Sequence, residues 1–467
     1  MTGRATDVLV VGGSVAGLTA ALALERRGVD VALVEADPAT AGQGGGADDA
    51  PRRATPQAGH SHTFLARCRS LLLAEAPDAL DALLAAGGHE IVLADQRPAT
   101  VPAHTTHPET AQLVALAARR STFEAALRRV AHRRPGIRRL SPRRAIALLV
   151  NDRQVRGAVF DDGSSVAARL VVDATGRRTS MPGWLVDHGI AVDEQSEECG
   201  IAYLTRFYRR PPGAPDLPLD RGFAAGGSFD RYSCLVFPGD GATFSVTFGV
   251  LPEDRTLRSL LREPDAFGTA VRSIPSLAPW LDAEPISEVR MMAGLVNRLR
   301  NPVVPGWTAV GDAAATTNPA HSRGCTLAAV HAVAVADAAA AHDDPAELAQ
   351  ACAAVVDVEQ APWVADSIDQ DRDRLARWRA PGQAPHPVPD RRRLTNGEAF
   401  AAARHDAYVW RRFNRLQQLL EKPDDVLADP RVVARVRAVQ ATGARTPGLD
   451  GPTHPELVDL LAGERVA

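Results

Sequence analysis

Gly12-Gly13-Ser14-Val15-Ala16-Gly17 stand between an apolar β-branched run, Asp7–Val11, and a leucine- and alanine-rich stretch ending at Gly28. A strand that feeds a helix through such a turn makes an anion site. Unpaired N–H groups and the positive end of the helix dipole face the ligand, and a pyrophosphate is the anion they suit. Gly12 permits the bend. Ser14, in place of the usual middle glycine, is small enough for close backbone approach, and Gly17 lets the helix pack on the strand. Glu35, beside Ala36 at the end of the next apolar run, is placed to bond a ribose hydroxyl.

Such a turn does not tell one dinucleotide from another; a second segment does. In Val310-Gly311-Asp312-Ala313-Ala314, again at a strand end, the carboxylate can bond the ribityl or ribose hydroxyls of a long cofactor. Asn318-Pro319 follow, then Ser322-Arg323-Gly324-Cys325 at the start of an alanine-rich helix. Backbone N–H groups there suit negative charge on a reduced isoalloxazine ring. Together the two segments point to FAD. Asp173-Ala174-Thr175-Gly176-Arg177 reads equally as a cofactor contact or as a plain turn after a strand. Arg120 reads equally as a phosphate or flavin-edge contact or as a solvated neighbour of Arg119. His60 and His62 share one face of an extended segment, but no cysteines or carboxylates cluster near them, so no metal is expected. They are expected to pack on the flavin or phosphates, or to serve structure alone.

The elements that would position these groups follow from pattern. Residues 7–11 and about 29–37 read as strands around the first helix, a β-α-β start. Ser121 and Glu124 form a capping-box pattern opening a helix to about 133. Three strands at 143–150, 153–160 and 165–173 form a meander, the last two joined at Asp161-Asp162-Gly163. Alternation at 199–210, 231–237, 243–250 and 288–299 predicts a second, antiparallel sheet. Helical patterns fill 323–341, 345–379 and 396–440, with a Pro-rich connector at 380–393. The fold class is α/β: a three-layer Rossmann-type FAD-binding domain with a β-meander, an antiparallel-sheet substrate domain, and a helical C-terminal region. The FAD-binding parts are expected at 1–85, 111–180 and 286–344, the substrate parts at 86–110 and 181–285, and the helical region at 345–467.

Composition sets bounds. The 467 residues carry a net charge of −3, with 45% hydrophobic and 23% charged residues, so neither nucleic acid nor an anionic membrane is favoured as partner. Of the 53 basic residues only Lys422 is a lysine, which excludes a catalytic lysine before it. The five cysteines are scattered without C-x-x-C pairing, as expected of reduced thiols in a cytoplasmic protein. No signal peptide or membrane span is expected.

These segments, in this order, resemble the glutathione-reductase-type FAD fold of the aromatic-hydroxylase and squalene-epoxidase superfamily. The resemblance assigns the ADP half to Gly12, Ser14, Gly17 and Glu35, and the ribityl chain to Gly311 and Asp312. It places the loop of Asn318, Pro319 and Gly324 beside the flavin. A narrower likeness is to the flavin-dependent epoxidases of polyether biosynthesis. It rests on Thr55-Pro56-Gln57-Ala58-Gly59-His60-Ser61-His62, Asp173–Gly176, Cys199–Arg206, the Gly311–Ala332 block and Asp429-Pro430. One departure is Ala-His-Ser-Arg between Pro319 and Gly324, where those epoxidases tend towards Tyr-Gly-His; it makes His321 a residue of interest for the substrate. The resemblance implies a monooxygenase, hydroxylase or epoxidase, in which a flavin C4a-hydroperoxide transfers oxygen from O2 to a small, largely apolar secondary metabolite.

That chemistry asks for a dry pocket and no catalytic dyad. NAD(P)H would supply electrons, directly or through a separate flavin reductase. Tyr203, Arg206, Phe237 and Pro238 are the candidate substrate residues, with Phe223, Phe229 and Leu235 as apolar lining or core. A dehydrogenase or reductase moving hydride without oxygen is the alternative, and a non-enzymatic flavin-binding protein ranks below it. A flavin-dependent halogenase is set aside, because the active-site lysine and the Trp-x-Trp-x-Ile-Pro stretch of such enzymes are both missing.

Overall fold

The computed structural model describes residues 4–37, 55–101, 107–380, 393–444 and 449–464. Most of the connectors expected at 39–59 and 380–393 lie outside these.

The β-branched runs pair as parallel strands because both faces of the sheet are covered. Ile137–Leu140, Val31–Val34, Thr6–Val11 and Ser165–Asp173 lie side by side, and Trp307–Ala309 joins the far edge of Ser165–Asp173. The meander strands Ala145–Asn151 and Gln154–Phe160 run antiparallel and attach to the first half of Ser165–Asp173. That strand therefore serves two purposes, carrying the meander early and re-entering the parallel sheet late.

Register decides where the site falls. Val11 pairs with Val34 on one side and Asp173 on the other, and Asp173 pairs with Ala309. Four strands thus end at one level. Past their ends, Gly12 N–H donates to Val34 O at 2.8 Å, Ala174 N–H to Val11 O at 2.8 Å, and Val310 N–H to Asp173 O at 2.9 Å. The glycine turn, Glu35, the 174–179 turn and Gly311-Asp312 all leave the sheet at this edge.

Two helices close on it. Val15–Arg26 packs along Gly324–Ala341, an 18-residue helix with mean hydropathy 1.5 that is 67% buried, as befits a core helix. It is long and apolar enough to cross a membrane by length and composition alone, where no span was expected. A Cβ at Gly17 would lie 1.7 Å from Gly12 O, so only glycine fits where helix meets turn. Gly311, at φ +58°, sits where a Cβ would meet the methyls of Ala16 and Ala328 at 3.0 and 3.1 Å.

The second sheet is antiparallel, in the order Ala225–Ser228, Tyr232–Pro238, Thr243–Val250, Ala202–Arg209, Glu284–Pro285, with Arg290–Met292 also on Ala202–Arg209. The single strand expected at 288–299 is two. Gly294, at φ +66°, breaks the run, and Val296–Arg300 leaves to pair with Glu194–Glu198. The helices Asn396–Ala403, Ala407–Gln417 and Pro430–Ala441 pack into the core that this sheet shares with Ile91, Leu93 and Leu113. The chain end clasps the sheet: Tyr232 Oη donates to Pro452 O at 2.6 Å, and His454 pairs with Asp254 at 2.5 Å.

Replacing Gly17 by alanine is expected to lower unfolding free energy by about 1–3 kcal/mol, the usual cost of overpacking. Chemical denaturation checks it, and an unchanged midpoint would contradict the tight contact.

Candidate active site

The helix Arg120–Arg133 brings a charged group to the glycine turn. Arg119 is its N-cap and no side chain caps it, so the capping box expected from Ser121 and Glu124 is not formed. Glu124 is engaged elsewhere: Ser14 Oγ donates to its Oε1 at 2.5 Å, and Arg120 Nε does so at 2.8 Å. Arg120 Nη2 donates to Ser14 Oγ at 2.9 Å. Arg120 is only 9% exposed and Glu124 2%, so of its two readings the solvated one is wrong. Burial works against the guanidinium charge, but nearby Cys325, Glu124 and Asp312 outweigh it and raise the pKa. Ser14, read from sequence as a small stand-in for glycine, is thus also the anchor of a buried ion pair.

Across the turn, Gly13 N–H donates to Glu35 Oε2 at 2.8 Å and Asp37 N–H to Glu35 Oε1 at 2.9 Å. Val15, Ala16 and Gly17 begin a helix that no side chain caps, and Gly324 and Cys325 begin another. Two sets of helix N-terminal N–H groups are therefore open to a ligand. Between them lies Asp312, whose carboxylate has no hydrogen-bond partner among the described residues. Burial raises its pKa, against the fields of Arg120 and Arg177. An acceptor-only group held in this way fits the hydroxyls of a ribityl chain, and the open N–H groups fit phosphate, so the residues present suit FAD.

The other sequence candidates divide. Thr175 is exposed beside the glycine turn, and Gly176 takes φ +85° with open space around it. Asp173 is fully buried. Its carboxylate accepts from Thr175 N at 3.0 Å, Thr175 Oγ1 at 2.6 Å and Thr179 Oγ1 at 2.5 Å. It shapes the turn, and the contact reading fails for its side chain. Asn318 is 0% and Arg323 1% exposed. Arg323 pairs with Asp366 at 2.8 Å and stacks over Trp363, so both residues hold the loop from behind. Pro319, Ala320 and Gly324 are exposed, Ser322 is left-handed at φ 54°, and Cys325 is 7% exposed with its thiol pushed up to about 11. His321 sits with Arg323, Asp366 and Arg374 in reach, its imidazole driven to about 3 by burial.

Parity sorts the substrate candidates. Tyr203, Thr205 and Phe207 share a face with Ser245, Thr247, Leu235 and Phe237, their cross-strand partners and neighbours. His60 Nδ1 meets Thr205 Oγ1 at 3.0 Å, and Ser61 Oγ meets Ser245 and Thr247 at 2.7 and 2.6 Å, so this face turns to the 60–62 segment. Arg206 and Pro238 alternate to the other face. Arg206 Nε donates to Ser287 O and its Nη1 to Pro264 O. Phe223 and Phe229 pack with the core, Phe229 stacking on Tyr232 at 4.6 Å. The face turned to the 60–62 segment thus mixes the hydroxyls of Thr205, Ser245 and Thr247 with the apolar Phe207, Leu235 and Phe237.

The same segment reaches the turn. His62 Nδ1–H donates to His60 O at 2.9 Å, leaving Nε2 to accept from Arg120 Nη1 at 3.4 Å. No His, Cys, Asp and Glu group capable of holding a metal occurs among the described residues. Arg177, whose pKa burial lowers, reaches Met292 Sδ at 3.9 Å on the edge strand.

Two outcomes are expected. Asp312→Ala should weaken FAD binding by about 10- to 100-fold, the loss of hydrogen bonds worth ~1–3 kcal/mol, read by flavin titration. Burial also holds His60 at about 4 and His62 at about 3, below the usual 6.5. The unfolded chain then binds more protons, so stability present above pH 6.5 is lost as pH falls towards 4. For His60 alone the loss is about 3 kcal/mol. Urea unfolding at pH 7 and pH 4 for the parent and His60→Gln measures it, and an equal pH slope in both would contradict it.

Residues 7–182 match the family model described as FAD dependent oxidoreductase. No curated protein sequence matches the chain. Among solved structures, the flavin-dependent brominase Bmp2 is 17% identical, with TM-score 0.62 over 94% of this chain and 99% of that one. PqsL, a probable FAD-dependent monooxygenase from Pseudomonas aeruginosa, is 16% identical, with TM-score 0.57 over 81% and 99%. The myxobacterial chondrochloren halogenase CndH is 17% identical, with TM-score 0.58 over 98% and 96%. At such identities the likeness is one of fold. Residues 7–182 are thus similar to the family described as FAD dependent oxidoreductase, and the whole chain shares the fold of these flavin-dependent enzymes.

Proposed function

We propose that the protein is an FAD-dependent monooxygenase that hydroxylates or epoxidises a small metabolite, with electrons from NAD(P)H directly or through a separate reductase. The observation that carries this is the unpartnered Asp312 carboxylate, at the edge where four strands end and two uncapped helices begin. When bound and reduced, FAD supplies the electrons and the centre that activates O2. Arg120, held by Glu124 and Ser14, offers its positive field to the pyrophosphate. Glu35 and Asp312 would hold the two sugar-like ends, with Pro319 and Ala320 beside the ring.

The hydroxyls of Thr205, Thr247 and Ser245, buried and bonded to His60 and Ser61, anchor the 60–62 segment on the sheet and help limit water. Phe237 and Tyr203 lie on the same face. Burial leaves both imidazoles neutral and weakly basic, and it keeps the Cys325 thiol protonated at pH 7, so the thiol is not a ready nucleophile. All five cysteines are unpaired, which agrees with a cytoplasmic setting.

PqsL supports oxygen insertion by its name and fold. Bmp2 and CndH raise halogenation, since they match more of this chain; against it, Lys422 is the only lysine and it caps the helix Pro423–Leu427. Purified FAD-loaded protein is expected to incorporate one atom of isotopically labelled O2 into product with stoichiometric NAD(P)H oxidation. Hydride transfer under argon without oxygen incorporation would move the assignment to a dehydrogenase, and halide incorporation would move it to a halogenase.

A further inference from the structure

The helix Ala361–Arg379 lies outside the matched family segment, yet it holds the loop at Asn318. Asp371, 2% exposed, is acceptor to Asn318, Arg374 and Asn297. Its Oδ1 accepts from Asn318 Nδ2 at 2.5 Å and from Arg374 Nη2 at 3.1 Å, and its Oδ2 accepts from Asn297 Nδ2 at 2.8 Å. Asn318 N–H donates to Asn297 Oδ1 at 2.9 Å and Ser367 Oγ at 3.1 Å, and Ser367 Oγ–H donates to Asn297 Oδ1 at 2.7 Å. On its other side, Asn318 Oδ1 accepts from Tyr203 Oη at 2.6 Å and from Ala320 N at 3.0 Å.

The direction of these bonds matters. An ionised carboxylate only accepts, so Asp371 obliges Asn318 to present its NH2 to the helix. Its carbonyl oxygen must then face Ala320 N–H, which caps the 3-10 turn Pro319–His321, and Tyr203 on the substrate sheet. A neutral amide at 371 would set one NH2 against another and release that preference. Arg374 balances the buried charge and is itself tied to Gly200 O at 3.2 Å.

We propose that Asp371 is a positioning residue for the loop 318–323, setting the exposed Pro319-Ala320 edge that meets the flavin ring and coupling it, through Asn318 and Tyr203, to the substrate sheet. The inference rests on the reading of the cleft as an FAD site.

The test uses the full chain loaded with FAD and compares the parent with Asp371→Asn and Tyr203→Phe. The readouts are the visible circular dichroism of the bound flavin, which senses the ring's surroundings, and the FAD dissociation constant. Asp371→Asn is expected to alter the shape of the flavin dichroism and raise the dissociation constant about tenfold. Tyr203→Phe, which removes a single donor, should shift the same bands in the same direction with a smaller change in affinity, and it carries the test if Asp371→Asn does not fold. Parent-like dichroism and affinity in the folded variants would overturn the positioning role while leaving the cofactor reading intact. A parent that takes up no FAD would end the cofactor reading, and this inference with it.

Discussion

The pairing of Asp173 with both Val11 and Ala309 is the constraint on which the site depends. Parallel pairing of equal register leaves four strand ends level, and every segment that follows must turn within a few residues of the same edge. The sites read from sequence are far apart along the chain, and this alignment makes them neighbours. It also explains the glycines: Gly12 and Gly17 lie where turn, helix and the 174 backbone meet at van der Waals distance, and Gly311 is wedged between two helices. A slip of one residue in either pairing would turn the alternate side chains to the opposite face and misplace Asp312.

Electrostatics at this edge is arranged around buried charge. A lone cation buried here would suffer the full desolvation cost; Glu124 reduces it by pairing with Arg120, with Ser14 as common partner. The arrangement leaves the Asp312 carboxylate without a hydrogen-bond donor among the described residues. Burial likewise keeps His60 and His62 neutral, so the wall they form with the sheet hydroxyls is polar without being charged.

Much of this was legible in the residues. The glycine turn, the meander and the Gly311-Asp312 segment follow from local chemistry, since strand, turn and helix signals agree there. What failed did so for physical reasons. The Ser121 and Glu124 pattern is a good local cap, but a tertiary partner, Ser14, competes for the same carboxylate. Alternation gave two faces for Ala202–Arg209 without separating them, because both are covered; hence Arg206 and Pro238 were grouped with Tyr203 and Phe237, although they lie on the opposite face. The partnership of Asp371 with Asn318 and Asn297 joins residues from separate elements, and no spacing rule reports it.

The segment around His60 and His62 has one further consequence. It is bonded at one end to the sheet, through Thr205, Thr247 and Ser245, and at the other to the guanidinium beside the glycine turn. A ligand that stiffens one of these attachments shortens the excursions of the other, and thermodynamic reciprocity makes the effect mutual. The sheet face and the glycine turn are therefore joined by three consecutive residues.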